Sequence, residues 1–596
     1  MNKKLHILFF SLFLSFSLLA VSNLNAKTIK IVTGPTPDAK GILYVKNGGT
    51  GDGSSWNNAY GEFQFAMTST NTAILQIWVA AGIYSPQYGK SFSLKEGVKI
   101  YGGFAGTEND LSQRDFKTNI TNLKGIRNSV IQTRNLTPAT LLDGFTISDG
   151  FTEPDSSGNN GTGGGILNLS SSLTISNCIF INNKASGGGG IYNSGGFPII
   201  TNCTFINNSG NAIDNWSTTA VITNCNFEKN ASAAAAVENT RSTTTLTNCN
   251  FTENTGWDGG AMYNELSNVT MTNCNFTKNI SRRSTTSNNG RAAIYNVFRC
   301  NITIYNCRFI ENSAVKYGGA IVSNNFTNLT IVNSLFINNT AGTLANELHS
   351  TSDVTLKIIN STFVNNGKDA LFSSGGGSIN FTNCIVWANL TLGAEGSYNS
   401  KNSIILGKTN TSDSNISATG ISDTQIFNNP AAGDYTLLEG GIAINKGNNA
   451  LYDPLIFGNL DLSGRSRVNE TTIDLGAYES KNGILGIGHV EKSNLITYPN
   501  PVKGDFFTIE NASTDGNAML YDLSGKQVKS ARIENGKAQV NVSGLAKGIY
   551  LLKTTKSEAL KNNSRIKLLS PTANSVINFV LLYQRSHNFT QSRKNV

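Results

Sequence analysis

One cassette, Thr-Asn-Cys-x-Phe-x-x-Asn with minor variation, recurs nine times between Asn177 and Asn389. The copies begin at Asn177, Asn202, Asn224, Asn248, Asn273, Asn306, Asn333, Asn360 and Asn383, so that successive starts lie 22 to 33 residues apart. Helical repeats are usually longer than this. The flanking residues alternate and are rich in Thr, Ile, Val and Phe, as in Leu173-Thr-Ile175-Ser176 and Val221-Ile-Thr-Asn224, which favours strand. A second signature follows each cassette: small residues and then an aliphatic one, as in Gly187 to Ile191, Gly259 to Met262 and Gly318 to Ile321. Glycine there allows a tight corner and close backbone approach. Each repeat therefore reads as one coil of an all-β solenoid, a parallel β-helix.

Stacking at the ordinary inter-strand spacing of about 4.8 Å would place equivalent residues in ladders. Phe180, Phe205, Phe227, Phe251, Phe276, Phe309, Phe336 and Phe363 are expected to form an interior aromatic column that ends at Val386. The last Asn of each cassette, Asn183, Asn208, Asn230, Asn254, Asn279, Asn312, Asn339, Asn366 and Asn389, is expected to form a structural ladder that satisfies corner backbone groups. Seven of the eight cysteines (Cys178, Cys203, Cys225, Cys249, Cys274, Cys307, Cys384) share one rung, and Ser334 and Ser361 take the same place in two coils. In-register strands hold Cβ atoms wider apart than the roughly 3.8 Å a disulfide prefers, so free thiols are expected. Cys300 lies off that rung and is left open.

The first 26 residues have the pattern of a secretory signal: Lys3 and Lys4, an apolar run from Ile7 to Val21, and Leu24-Asn-Ala26 as a cleavage site. No transmembrane segment is expected after its removal. Net charge is +9, but Lys3 and Lys4 leave with the signal and Arg585, Arg593 and Lys594 sit in a terminal tail, so no basic face for nucleic acid is visible. The remaining divisions are expected at 27–140 (N-terminal cap and first coils), 141–428 (repeats), 429–480 (terminal coils), 481–493 (linker), 494–570 (a small C-terminal β-sandwich) and 571–596 (an atypical tail). A short helix near Ala59 to Met67 would cap the first coil and hide a sheet edge.

Phe309-Ile-Glu-Asn312 followed by Gly318-Gly-Ala-Ile321 resembles the repeat pair of the polymorphic outer-membrane protein family, which implies an adhesin-like surface protein. The stretches Leu43 to Asn47, Ser54 to Tyr60, Ile77 to Tyr84 and Gly97 to Phe104 are similar to the opening of exported, pectate-lyase-like right-handed β-helix proteins. Asn429 to Tyr435 and Asp461 to Glu479 resemble the choice-of-anchor segment of the same proteins, and Asp461, Arg465, Arg467 and Asp474 read there as a structural charge network. Tyr498-Pro-Asn-Pro501, Leu520 to Lys526 and Leu545 to Tyr550 resemble the C-terminal sorting domain of type IX secretion cargo. That resemblance implies the type IX machinery as a partner and a secreted or cell-surface location across the outer membrane of a Gram-negative bacterium. The family's domain ends after a basic strand such as Lys561 to Leu569, whereas this chain continues from Pro571.

One constellation is a candidate site. Period-two alternation puts Tyr192, Asp214, Glu238, Tyr263 and Tyr295 on the outer surface of successive corner strands, with Trp216 and Trp257 nearby. Asp214 and Glu238, as coil neighbours, are candidate Ca²⁺ ligands, and the aromatics are candidates for stacking sugar rings. The plainer reading is a solvated face with scattered aromatics. No cofactor is required beyond this possible Ca²⁺. The Asn-Thr-Asp, Gly-His-Gly and Arg-Ile-Lys series of galacturonases are missing, no catalytic residue is identified, and His349, the sole histidine of the solenoid, reads as incidental. The expectation is a non-enzymatic surface protein binding glycans or proteins; the alternative is a polysaccharide lyase or glycoside hydrolase acting on acidic polysaccharide.

Overall fold

The computed structural model describes residues 34–480 apart from 155–160, 283–289, 344, 352, 374–376, 393–395 and 469–471, together with 496–498, 502, 504–510, 516–522, 526–546, 548–556 and 575–583. The expected signal segment, the linker and the Lys561–Leu569 strand lie outside the described residues.

The chain winds as a parallel β-helix with three faces. One coil runs from Thr243–Thr247 on the first face, through Asn250–Thr252 on the second, to Met262–Glu265 on the third, and Asn268–Thr272 opens the next coil. The first faces form a continuous parallel sheet of 14 strands from Ile42–Val45 to Ser397–Lys401. The second and third faces join into one larger sheet because Thr362–Ser373 and Ile385–Leu392 carry the pairing of both. The register is strict: Phe227 lies on Phe251, and Phe251 on Phe276. The cap helix is Phe63–Thr68, later than expected, and it buries Phe63, Ala66 and Met67 over the first coil.

The aromatic column forms as the cassette requires. From Phe180 to Phe363 neighbouring rings stack with centroids 4.4 to 5.0 Å apart and planes within 9°. All eight cysteines are free and buried. Burial pushes the Cys384 thiol up to about 12, so it is inert at neutral pH. Cys300 belongs to a different ladder, in which each backbone N–H donates to the side chain of the next coil: Thr218 N to Ser242 Oγ at 3.1 Å, Ser242 N to Ser267 Oγ at 3.0 Å and Ser267 N to Cys300 Sγ at 3.5 Å.

The asparagine ladder runs from Asn183 to Asn339, and its hydrogen bonding is saturated. Asn230 Nδ2 donates to Phe205 O at 2.9 Å and to Asn254 Oδ1 at 3.0 Å, while its Oδ1 accepts from Asn208 N and Nδ2, both at 3.0 Å. The ladder ends differently from the sequence expectation. Asn339 donates from N and Nδ2 to the two carboxyl oxygens of Glu347, which is fully buried. Asn389 is exposed, and the Asn366 side chain lies outside the described residues. A second buried ladder, absent from the sequence reading, links Thr133, Asn168, Asn193, Asn215, Asn239, Asn264, Asn296 and Ser323 by side-chain hydrogen bonds of 3.1 Å or less.

The three corners solve one backbone problem differently. At the first, the opening Asn of every cassette takes positive φ, from 44° to 57°; Asn tolerates this region because its short amide bonds locally. At the second the left-handed residue is Asn182, Asn207, Lys229, Glu253, Lys278, Glu311 or Asn338, and the charged ones pair as Lys229–Glu253 and Lys278–Glu311. At the third it is Ser170, Ser217, Arg241, Leu266, Phe298 with Arg299, Asn325 with Phe326, and Asp353.

Residues 429–480 were expected to add coils, and they do not. Phe427–Asn429 and Asp434–Leu437 pair antiparallel, and the chain then runs back along the first corner. Asn333 Nδ2 donates to Tyr452 Oη and Leu460 O, Asn360 Nδ2 to Asp474 O, and Asn383 Nδ2 to Asn448 O. The expected charge network holds this strap: Arg467, fully buried, lies 3.1 Å from Glu479, Asp461 accepts from Arg465 N and Glu479 N, and Asp474 from Asn445 N and Ser480 N. Farther on, Ile496–Tyr498, Phe506–Glu510 and Ala538–Asn541 form one antiparallel sheet, and Gln527–Ile533, Gly516–Tyr521, Gly548–Lys556 and Ser575–Tyr583 another. Part of the segment expected as an atypical tail is thus an edge strand on Gly548–Lys556.

Asn230→Ala strands the Asn208 donors and the Phe205 carbonyl inside the coil and should destabilise the protein by about 3 kcal/mol or more. Cys225→Ser, which copies the chain's own Ser334 and Ser361, should cost under about 1 kcal/mol. Denaturant unfolding of the two variants measures both, and equal losses would contradict the ladder account.

Candidate functional site on the third face

Third-face strands alternate inward and outward residues. In Ile213–Trp216, Ile213 and Asn215 are fully buried while Trp216 is exposed. Parallel pairing then sets Tyr192, Asp214, Glu238, Tyr263 and Tyr295 in one outward column, which continues through Val322 to His349. Trp216 belongs to the neighbouring outward column with Ser194, Thr240 and Glu265, and Trp257 sits on the loop leading into Met262–Glu265; both indoles are exposed.

The column is less solvated than alternation alone suggests. Asp214 is only 9% exposed and Tyr295 only 5%, whereas Tyr192, Glu238 and Tyr263 are half-buried. The small-residue loops between the second and third faces fold over it. Gly187 shows how closely: a Cβ there would lie 2.6 Å from Asp214 Oδ2. Asn211, itself left-handed at φ 72°, reaches Glu238 Oε2 from the same corner at 3.2 Å.

Burial and mutual repulsion dominate the electrostatics. Burial, and then the charge of Glu238, holds the Asp214 carboxyl well above the usual carboxylate range. Burial also raises Glu238, with Glu265 and Asp258 adding to the rise and the Asn211 amide opposing it. Burial followed by the two carboxylates raises Tyr192. The Tyr263 hydroxyl donates to Glu265 Oε2 at 3.0 Å, and its ring meets Tyr295 edge-on at 5.6 Å.

A basic residue stands at the other end of the column. Arg291 Nη1 donates to Tyr295 Oη at 2.8 Å, and its guanidinium carbon lies 4.8 Å from the Tyr295 ring centre. The His349 ring is 5.0 Å from that of Tyr317, and burial, then Arg291, pushes its pKa down to about 4, so it is neutral at pH 7. Sequence reasoning found no basic partner on a fixed rung and set His349 aside. Arg291 was missed because it follows the long insertion of its coil, where the repeat period gives no register; His349 was legible only once its rung was counted. Asn211 and Glu265 carried no signal of their own.

The arrangement offers an acidic, proton-holding end, a tyrosine centre and a cationic end. Asp214 and Glu238 would supply two carboxylates to a Ca²⁺ ion, which takes six to eight oxygen ligands. Among the described residues no group of three or more His, Cys, Asp or Glu side chains is placed to hold a metal.

The sign of the pH dependence follows from the raised carboxyls. The unfolded chain ionises near the ordinary carboxylate pKa, while the folded pair keeps its protons longer, so their contribution is present at low pH and lost as pH rises above about 4. His349 acts oppositely: its depressed pKa removes stability as pH falls below about 6.5. Asp214→Asn with Glu238→Gln should melt higher than the native protein at pH 8, and the gap should close toward pH 4. A melting series at fixed ionic strength checks this, and a gap that widens on acidification contradicts it.

Residues 215–356 match the family described as the right-handed beta helix region, and residues 497–567 match the secretion system C-terminal sorting domain. No curated protein matches the chain. Among solved structures, pectate lyase Pel9A is 17% identical, with 75% of this chain and 98% of that one covered and a TM-score of 0.35. The A-module of the Azotobacter vinelandii mannuronan C-5 epimerase AlgE4 is 12% identical over 61% and 100% of the two chains, with a TM-score of 0.31. Tailspike protein 2 of Escherichia coli O157:H7 bacteriophage CAB120 is 11% identical over 81% and 64%, with a TM-score of 0.28. Scores this low carry no weight for function. The sorting domain marks the chain for export by type IX secretion, to the cell surface or the medium. Coil geometry and both matched regions lead to the same statement: the chain is a right-handed parallel β-helix protein with a type IX C-terminal sorting domain.

Proposed function

We propose that this protein crosses the outer membrane of a Gram-negative bacterium and, at the surface or in the medium, binds glycan chains along its third face in an adhesin-like, non-enzymatic role. The observation that carries this reading is the outward column Tyr192–Asp214–Glu238–Tyr263–Tyr295, in which tyrosines flank two carboxyls that burial keeps inclined to hold protons. Tyrosine faces stack on sugar rings, and protonated carboxyls and phenols donate hydrogen bonds to hydroxyl and ether oxygens. Half-buried side chains on rigid strands need little ordering to do so.

A second reading, cleavage of an acidic polysaccharide by a lyase or hydrolase, is favoured by one feature of the same column. A carboxyl with a raised pKa suits general acid work, and Arg291 adds the cation that would hold a uronate. The two readings differ in product. The full exported chain is incubated with neutral and acidic polysaccharides, with and without Ca²⁺, and both retention and new reducing or unsaturated ends are measured. Retention without new ends, lost about tenfold or more in Tyr192→Ala with Tyr263→Ala, is the expected outcome. New ends abolished by Asp214→Asn would establish the enzyme instead, and neither retention nor ends would refute both.

A further inference from the structure

The three corners provide an internal control. Each needs a left-handed residue once per coil, and the first and second meet that need with Asn or with charged residues that pair across coils. The third uses Ser170, Ser217, Asn325 and Asp353 in some coils but Arg241, Leu266, Phe298, Arg299 and Phe326 in others, with φ between 49° and 61°. Bulky residues are strained in this region, and strain of this kind gathers where a surface has work to do. Burial does not explain the choice: Leu266 is 40% exposed, Phe298 47% and Phe326 56%. Exposed Trp216 and Phe197 extend the same edge to earlier coils.

The ridge is also cationic. The Arg241 guanidinium lies 5.7 Å from the Trp216 ring centre, and that of Arg299 lies 6.0 Å from Phe326. Among the described residues neither arginine takes part in an ion pair, in contrast to the charged residues of the second corner. Each arginine is thus held against an aromatic ring with its charge uncompensated.

We infer that the third corner is a binding ridge for an extended anionic polysaccharide, distinct from the tyrosine–carboxyl column and independent of the function proposed for it. Arginine recognises a carboxylate or sulfate on the sugar, and the adjoining ring packs on the sugar face. Arg241 and Arg299 are two coils apart, about 10 Å along the axis at 4.8 Å per coil. An extended disaccharide spans a comparable length, so the ridge fits a chain carrying one acidic group per disaccharide better than one charged at every sugar.

The test uses the full chain with three immobilised polymers: hyaluronan, with one carboxylate per disaccharide; polygalacturonate, with one per sugar; and uncharged dextran. Retention should be strongest on hyaluronan, fall as salt is raised, and weaken at least tenfold in Arg241→Ala with Arg299→Ala, while Lys229→Ala with Lys278→Ala, which removes two cations at the second corner, retains it. Leu266→Asn with Phe298→Asn relieves the left-handed strain, so it should melt higher than the native chain while binding less. Equal binding to hyaluronan by the arginine variant, or an equal loss in the second-corner lysine variant, would overturn the ridge. Stronger retention on polygalacturonate would overturn its disaccharide spacing, and a lower melting temperature for the asparagine variant would show that Leu266 and Phe298 serve packing instead.

Discussion

Everything in this fold depends on one spacing. Coils stacked at the parallel-strand distance put every side chain directly over its equivalent, so a residue type is workable inside only if it can live with a copy of itself above and below. Phenylalanine satisfies this by offset stacking, and cysteine by being small. Asparagine satisfies it by carrying as many donors as acceptors: the amide of Asn208 gives two hydrogen bonds and takes two within the ladder. A buried carboxylate repeated in the same way would repel its neighbours, and on the third face the Asp214–Glu238 adjacency does so.

This rule explains which parts of the structure were legible in the sequence. The cassette fixes the coil, the Phe column and the first Asn ladder because period and residue type agree. The ladder from Asn168 to Asn296 is equally regular, but its members Asn193 and Asn264 lie two residues past the aliphatic residue at which the second signature stops. Cys300 looked solitary because its column is otherwise serine and threonine, chemically alike but spelled differently. The terminal segment was expected to form coils on a resemblance, and its apolar residues such as Tyr435 and Leu437 bury equally well in an antiparallel hairpin. Only the contacts of Tyr452, Arg467 and Asp474 show a strap rather than another coil.

The candidate site was half legible. Alternation found the column, since a strand's outward residues follow from its inward ones. It could not give burial, because loops such as the one at Gly187 vary in length between coils and fold over the face without leaving a period. Arg291 was lost for the same reason. On this solenoid the candidate site takes its shape where the repeat is broken, and a reading that rests on the repeat sees the scaffold first.

Glu347 gives the solenoid a direction. The amide-to-amide bonds of the asparagine ladder all run toward the C-terminal end, so its last rung must hand that donor to something. Another asparagine would only pass the demand on to the next coil. The Glu347 carboxyl receives both donors of Asn339 and has no amide to extend the series. It closes the ladder while the coils go on to Ser397–Lys401, so the last coils of the solenoid are the ones that stack without an asparagine column at this corner.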